Sequence, residues 1–433
     1  DDPSEVSAIV GLARRVFSGP GMAGPKQVPE HVELCRNVVS VDEGLERIER
    51  SEWTAESGPL IFAPSELHAL EAAGLEVPAW RTFADVVEGE EQAQAGTRLK
   101  RGSRLNKSDL HSGQHGVMRT VDIVRQLQVP PEERTSLINS ITEMKAGNHS
   151  LHVSLPRVLE RQRVSNLWWP AASAVKTFLL LSMQRCSMSY HLDLWATAVF
   201  YNVRWGCKVF ALAPPSAHNI RLLRAWQLHG EQDSGEAGSA GVFPRDLQGF
   251  TVAVLEAGSA IAIPAGWLHA VYTPEDSCVF GWNFHTCAQL NASLEAITVN
   301  WGEKTAEMRQ TRAFTVAKLD TGLWQLATAV CNSFGQAEHP YADLTADLDV
   351  SRRAVARSMS VVADYLADDI LIAQQHGRMR GNFPRCSPKD GSAACVAYKD
   401  PKAIIQRLFE ITSPLASSPL QSRQRDSRVK RER

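Results

Sequence analysis

The chain has 433 residues, 44% of them hydrophobic and 22% charged, which is ample to bury a sizeable core. A formal net charge of −2 excludes a protein that coats nucleic acid through its whole surface, so any such contact is local. Eight cysteines without a C-x-x-C spacing exclude a zinc-finger array and do not read as a disulfide framework, which favours a reducing compartment, cytosol or nucleus.

In chain order, residues 1–120 form an N-terminal mixed region with short helical and extended signals, including a strand at "PLIFAP". Within it, about 87–116 is polar and Gly/Ser-rich with almost no apolar period, which predicts a mobile insertion. Its "RLKRGSRLNK" is a local basic cluster, read most simply as a solvated loop. Order resumes at "GVMRTVDIVRQL", and "PPEERTSLINSI" carries a Pro-Pro-Glu-Glu helix start. From about 175 to 285 come short β-rich runs broken by Gly and Pro: "KTFLLLSM", "ATAVFYNVRW", "KVFALAPP", "FTVAVLEAG", "AIAIPAG", "WLHAVYT" and "CVFGWNF". Such a pattern predicts a sandwich or jelly roll, with residues 121–300 as the main domain. The stretch "FLLLSM" from Phe178 is far too short to span a bilayer, and no membrane partner is expected. Beyond 300 the apolar period becomes helical, giving a C-terminal helical module over 301–415 that shapes either a substrate surface or an interface. Residues 416–433 are a basic tail expected to be disordered, a plain terminus or a contact for nucleic acid. The chain opens on Asp1 with neither Met nor a signal-like stretch, and is read as part of something longer.

The chemistry gathers in "SYHLDLWATAVFYNVRWGCKVF". In a strand, residues two apart share a face, so His191 and Asp193 point the same way. Alone, H-x-D means no more than a buried His–Asp hydrogen bond. A second strand-like segment, "AIAIPAGWLHAVYT", adds His269 among apolar neighbours. Two imidazoles and one carboxylate make the facial triad that holds Fe(II) and leaves positions open for co-substrate and oxygen. A metal would also compensate Asp193 for its burial. Lys208, just past the turn "RWGC", is either a snorkelling lysine or the cation that 2-oxoglutarate needs for its far carboxylate; beside the triad, the second reading prevails.

These residues resemble the JmjC domain of Fe(II)/2-oxoglutarate oxygenases, and more narrowly the histone lysine demethylases of the plant-homeodomain-finger and F-box group. The core follows that group's pattern without a gap from Ser182 to Lys208, and "IAIPAGWLHAVYTPEDSCVFGWNF" is similar to its second-histidine segment. "PPEERTSLINSI", "VSNLWWP" and "GLEVPAWRTFADVVEG" resemble its upstream elements, so the likeness covers roughly residues 55–300. The resemblance implies an α+β fold with a double-stranded β-helix (jelly-roll, cupin-like) core. It implies iron at His191, Asp193 and His269, and 2-oxoglutarate at Lys208 with Tyr201 and Asn139. Ile141, Phe178, Leu194, Trp195 and Asn283 would border the substrate. The implied reaction is oxidative demethylation of methyl-lysine on a nuclear histone tail, with nucleosomal DNA as a further partner for the basic tail. The alternatives are a hydroxylase of another protein or RNA, or a weak or inactive chromatin-binding relative.

Three positions depart from the pattern. The family has Thr three residues before the first metal histidine; here it is Met188, which cannot donate a hydrogen bond. Losing one donor to a charged group costs on the order of 1.5–3 kcal/mol, which predicts weaker co-substrate binding. Ser187 or Ser189 would need a shift to replace it, since an ideal strand turns both to the other face. After the aspartate, the family's aromatic and Gly-Gly pair become Leu194-Trp195-Ala196, which predicts a narrowed substrate channel. A pocket tyrosine is replaced by Phe178.

Overall fold

In a computed structural model, the described residues are 32–82, 104–109, 115–134, 136–144, 153–162, 176–229 and 244–301, with 11, 85 and short helical pieces between 323 and 410. The strands among them are β1 (Glu33–Leu34), β2 (Leu60–Phe62), β3 (Arg104–Asp109), β4 (His115–Arg119), β5 (Ile138–Met144), β6 (Lys176–Ser182), β7 (Ser187–His191), β8 (Ala198–Ala213), β9 (Thr251–Leu255), β10 (Ala260–Ile263) and β11 (Leu268–Phe284). The helices are α1 (Val41–Glu49), α2 (Leu67–Ala72), α3 (Thr120–Leu127), α4 (Arg157–Gln162), α5 (Ala217–His229) and α6 (Leu290–Trp301). Among the described residues no helix is long and apolar enough to cross a membrane.

Two long antiparallel strands, β8 and β11, run side by side from Ala198↔Phe284 to Ala213↔Leu268 and form the spine. On the free edge of β11 sit β7 near its start and β6 near its end. On the free edge of β8 sit β10 and then β9. The result is the double-stranded β-helix expected of a jelly roll, with helices outside it.

Side-chain alternation sorts the spine into an interior and two outer faces. Val199, Tyr201 and Val203 point inward with Ile261, Ile263 and Val279, while Ala198 and Phe200 pack outward under α1, Trp53 and Trp80. In the second half of β8 the parity reverses. Phe210 and Leu212 face inward, and Val209, Ala211 and Ala213 pack against α5, α6 and helical positions such as Leu323, Met359 and Val362. The reversal occurs at Gly206, whose φ is 77° and where a Cβ would lie 2.0 Å from the Asp276 carbonyl oxygen. The pairing slips there too, between Glu275↔Cys207 and Cys278↔Trp205. Without this bulge, Tyr201 and Lys208, seven residues apart, would point to opposite sides.

Three details differ from the sequence reading. "RWGC" is a bend within one strand rather than a turn between two, and "WLHAVYT" and "CVFGWNF" are likewise one strand. The Pro-Pro-Glu-Glu signal starts only one 3-10 turn, Pro131–Glu133, before the chain enters β5. Of the expected insertion, 104–109 and 115–116 are strand, because β3 finds backbone partners in both β4 and β5; the rest of it, "VSNLWWP" and the basic tail lie outside the described residues.

Candidate metal centre and adjoining cavity

β7 ends at His191 and β11 begins beside it, so that His191 and His269 are directly opposed across a strand pair. Their ring centroids are 4.3 Å apart. The chain then turns at Asp193, whose two carboxylate oxygens approach the rings separately. Oδ1 lies 3.9 Å from His191 Nε2, and Oδ2 lies 3.8 Å from His269 Nε2. One ligand atom from each of the three residues falls within 4.8 Å of the others.

The second nitrogen of each ring fixes its tautomer. His191 Nδ1 is 2.8 Å from the Ser189 carbonyl and His269 Nδ1 is 3.3 Å from that of Trp267, so each Nδ1–H donates and each Nε2 presents a lone pair. Burial, reinforced by His191, pushes the His269 imidazole down to about 4, and it is neutral at physiological pH. Asp193 Oδ2 and His269 Nε2 are buried with no hydrogen-bond partner among the described residues. Orphaned acceptors converging on one point are costly unless a cation satisfies them. The donor set fits a divalent first-row metal, with Fe(II) the usual occupant of two histidines and one carboxylate.

The loops that bear the ligands are tied to one another. The Ala196 carbonyl accepts from Gly266 N at 3.0 Å and from Ser293 Oγ at 3.0 Å. Gln289 accepts from Ala265 N at 2.8 Å and donates to the Trp53 carbonyl at 2.8 Å. Trp195 and Ala196 adopt φ of 59° and 50°, the left-handed region that favours glycine. The structure therefore keeps the backbone of a Gly-Gly pair while carrying two residues with a Cβ. The Trp195 side chain is buried in the apolar layer with Tyr190, Leu268 and Leu294, away from the lining of the cavity beside the metal set. Of the Leu194 side chain nothing is described.

Beside the metal set lies a cavity of about 140 Å³. Of the residues expected here, His191, Asp193, Lys208, Tyr201, Asn139, Ile141, Phe178 and Asn283 line it. Met188 also lines it, as do Ser182, Cys186, Ser187, Phe210, Val271, Thr273 and Val279, which sequence reasoning did not assign to a pocket. Strand hydroxyls look like ordinary β residues, and only the register shows them facing inward.

Polar groups on this wall are mostly donors. Lys208, only 4% exposed, donates from Nζ to Thr273 Oγ1 at 2.7 Å. No carboxylate among the described residues pairs with it, and burial pushes the ammonium down to about 8. Cys186 supplies no countercharge, since burial pushes its thiol up to about 12. Burial, with Asp193 nearby, holds the Tyr201 phenol well above its ordinary value, so it remains a donor. Asn139 Oδ1 accepts from Ser182 Oγ at 2.7 Å, and Asn283 donates to Thr197 Oγ1 at 2.9 Å.

No family model matches the chain. It is 38% identical over 153 residues to JmjC domain-containing histone demethylation protein 1 of Saccharomyces cerevisiae, covering 35% of this chain and 29% of that protein. It is 31% identical over 211 residues to mouse lysine-specific demethylase 2B, covering 43% and 15%. Against zebrafish lysine-specific demethylase 7A the identity is 26% over 251 residues, covering 57% and 27%. The chain thus spans less than a third of the length of each of these relatives. Several such matches, together with a jelly-roll core that holds a His-Asp-His set, make this chain similar to proteins named as JmjC domain-containing histone demethylation proteins and lysine-specific demethylases.

Proposed function

We propose that the chain carries an Fe(II)- and 2-oxoglutarate-dependent dioxygenase domain, residues 121–300, that demethylates methyl-lysine on histone tails, histone H3 first among them. The observation that carries this reading is one cavity walled at one point by His191 and Asp193 of the His-Asp-His set and at another by a buried lysine with no carboxylate partner among the described residues. The named activity of the relatives supports the substrate class.

His191, Asp193 and His269 would hold the iron through two Nε2 lone pairs and a carboxylate oxygen. Bound iron, with 2-oxoglutarate and dioxygen, supplies the oxidative step that yields succinate and CO2 and frees an N-methyl group as formaldehyde. The protein's own residues bind and orient. Lys208 neutralises the far carboxylate of the co-substrate, and Tyr201 and Asn139 offer donors beside it. Ile141, Phe178 and Asn283 border the space left for the methyl-lysine, where Phe178 adds ring surface and no hydroxyl. The apolar barrel wall of Phe210, Val271 and Val279 keeps water away. A nuclear location follows from a histone substrate, and the basic tail is the segment to test for contact with nucleosomal DNA.

The test is a mass-spectrometric screen of methylated histone peptides with Fe(II), ascorbate and 2-oxoglutarate against a His191→Ala control. Loss of one methylene mass with formaldehyde supports demethylation. Gain of one oxygen assigns a hydroxylase, and bound iron with no succinate from any peptide assigns a non-catalytic chromatin protein.

A further inference from the structure

The family threonine that would bind the co-substrate carboxylate is Met188 here, and another strand of the cavity wall carries a buried hydroxyl. Thr273 stands four residues after His269, and with Val271 it lies on the inward face of β11. It is 2% exposed. Its backbone is fixed from both sides, the amide donating to the Cys186 carbonyl at 2.9 Å and the carbonyl accepting from Arg185 N at 2.7 Å. Its Oγ1 accepts from Lys208 Nζ at 2.7 Å, which leaves the hydroxyl proton with no acceptor among the described residues. Two of the three ammonium protons of Lys208 are likewise uncommitted among those residues. Met188 sits opposite Val271 across the β7–β11 pairing and lines the same cavity with a thioether.

A buried hydroxyl donor and a buried ammonium in hydrogen-bond contact, both on the cavity wall and with no anionic side chain paired to them among the described residues, are suited to one carboxylate, with one oxygen taken by each. We propose that Thr273 and Lys208 together clamp the far carboxylate of 2-oxoglutarate, with β11 supplying a hydroxyl donor on a wall where Met188 of β7 offers none. This rests on the reading of the cavity as a 2-oxoglutarate site.

The test is calorimetric titration of 2-oxoglutarate into the Mn(II)-loaded full chain, without turnover. Thr273→Val should weaken binding roughly ten- to a hundredfold, the worth of one hydrogen bond to a charged group. Thr273→Ser should restore most of it. Adding Met188→Thr to Thr273→Val should recover affinity, because the hydroxyl returns from the other strand. Mn(II) affinity, titrated separately, should be unchanged in every variant. If Thr273→Val loses the metal site, Thr273→Ala replaces it in the series. Wild-type affinity in Thr273→Val, or a loss in Thr273→Ser as large as in Thr273→Val, overturns the clamp. A wild-type protein that binds Mn(II) but not 2-oxoglutarate overturns the co-substrate reading itself.

Discussion

A glycine with no chemistry of its own bears on the shape of the cavity. Gly281 faces Tyr201 across the β8–β11 pair, and a Cβ there would meet the Tyr201 ring at 2.6 Å. Gly281→Ala should therefore push the ring toward the cavity, costing about 1–3 kcal/mol by over-packing and weakening 2-oxoglutarate binding; chemical denaturation and calorimetry on the same variant read both. Next to the metal set, Ala196 holds a φ of 50° that costs a residue with a Cβ about 1 kcal/mol. Ala196→Gly should raise stability by about that amount. Trp195→Gly should not. The same backbone relief is outweighed by the loss of a buried indole, about 3–5 kcal/mol, and the variant should be less stable by about 2 kcal/mol or more. An unfolding midpoint for Trp195→Gly above wild type would mean that the indole contributes nothing.

At the scale of the elements, the spine of β8 and β11 needs its bend held. Arg134, after the 3-10 turn, grips Asp276 with Nη1 and Nη2 at 2.6 and 2.7 Å, and also donates to the Leu127 and Val129 carbonyls at 3.0 and 2.9 Å. Asp276 in turn accepts from Gln184 N at 2.7 Å, and its own carbonyl is the atom that forbids a side chain at residue 206. Arg134→Met leaves this carboxylate half-buried without its cation and should cost on the order of 3 kcal/mol, read as a lowered denaturation midpoint. The strands themselves were legible because β-branched and aromatic runs such as "KTFLLLSM" and "AIAI" have few other uses. The bend was not, because Trp205-Gly206 has the composition of a turn, and only cross-strand pairing tells a bulge from a loop. The metal ligands and Lys208 were legible because ionisable groups inside apolar runs require a reason. Thr273 and Ser182 were not, since a hydroxyl on a strand carries no such cost. Trp195 was read as a channel residue because the family position borders the substrate; here its side chain turns to the helical layer instead.

Across the molecule, burial of neutral histidines links folding to pH. His269 is held down to about 4 and His285 to about 3, both by burial, against about 6.5 in an unfolded chain. Below about 6.5 the unfolded chain takes up protons that the folded one refuses, so stability should fall as pH drops from there toward 4, and these groups contribute no slope above it. Urea midpoints measured from about pH 7 down to about pH 5 should decline, and a flat profile would contradict the neutral, buried assignment of both rings. A metal held at the His269 Nε2 lone pair excludes the proton from the folded state altogether, so it should raise the midpoints at pH 7 while leaving the onset of the decline where the unfolded histidines set it.

The direct test of the central claim is calorimetric titration of Mn(II) or anaerobic Fe(II) into the full chain and into His191→Ala, Asp193→Ala and His269→Ala. One metal per chain should bind the wild type, and each substitution should abolish or severely weaken it while leaving the fold intact by circular dichroism. Absence of binding to the wild type, or binding that survives His191→Ala unchanged, would contradict a metal centre built from these three residues.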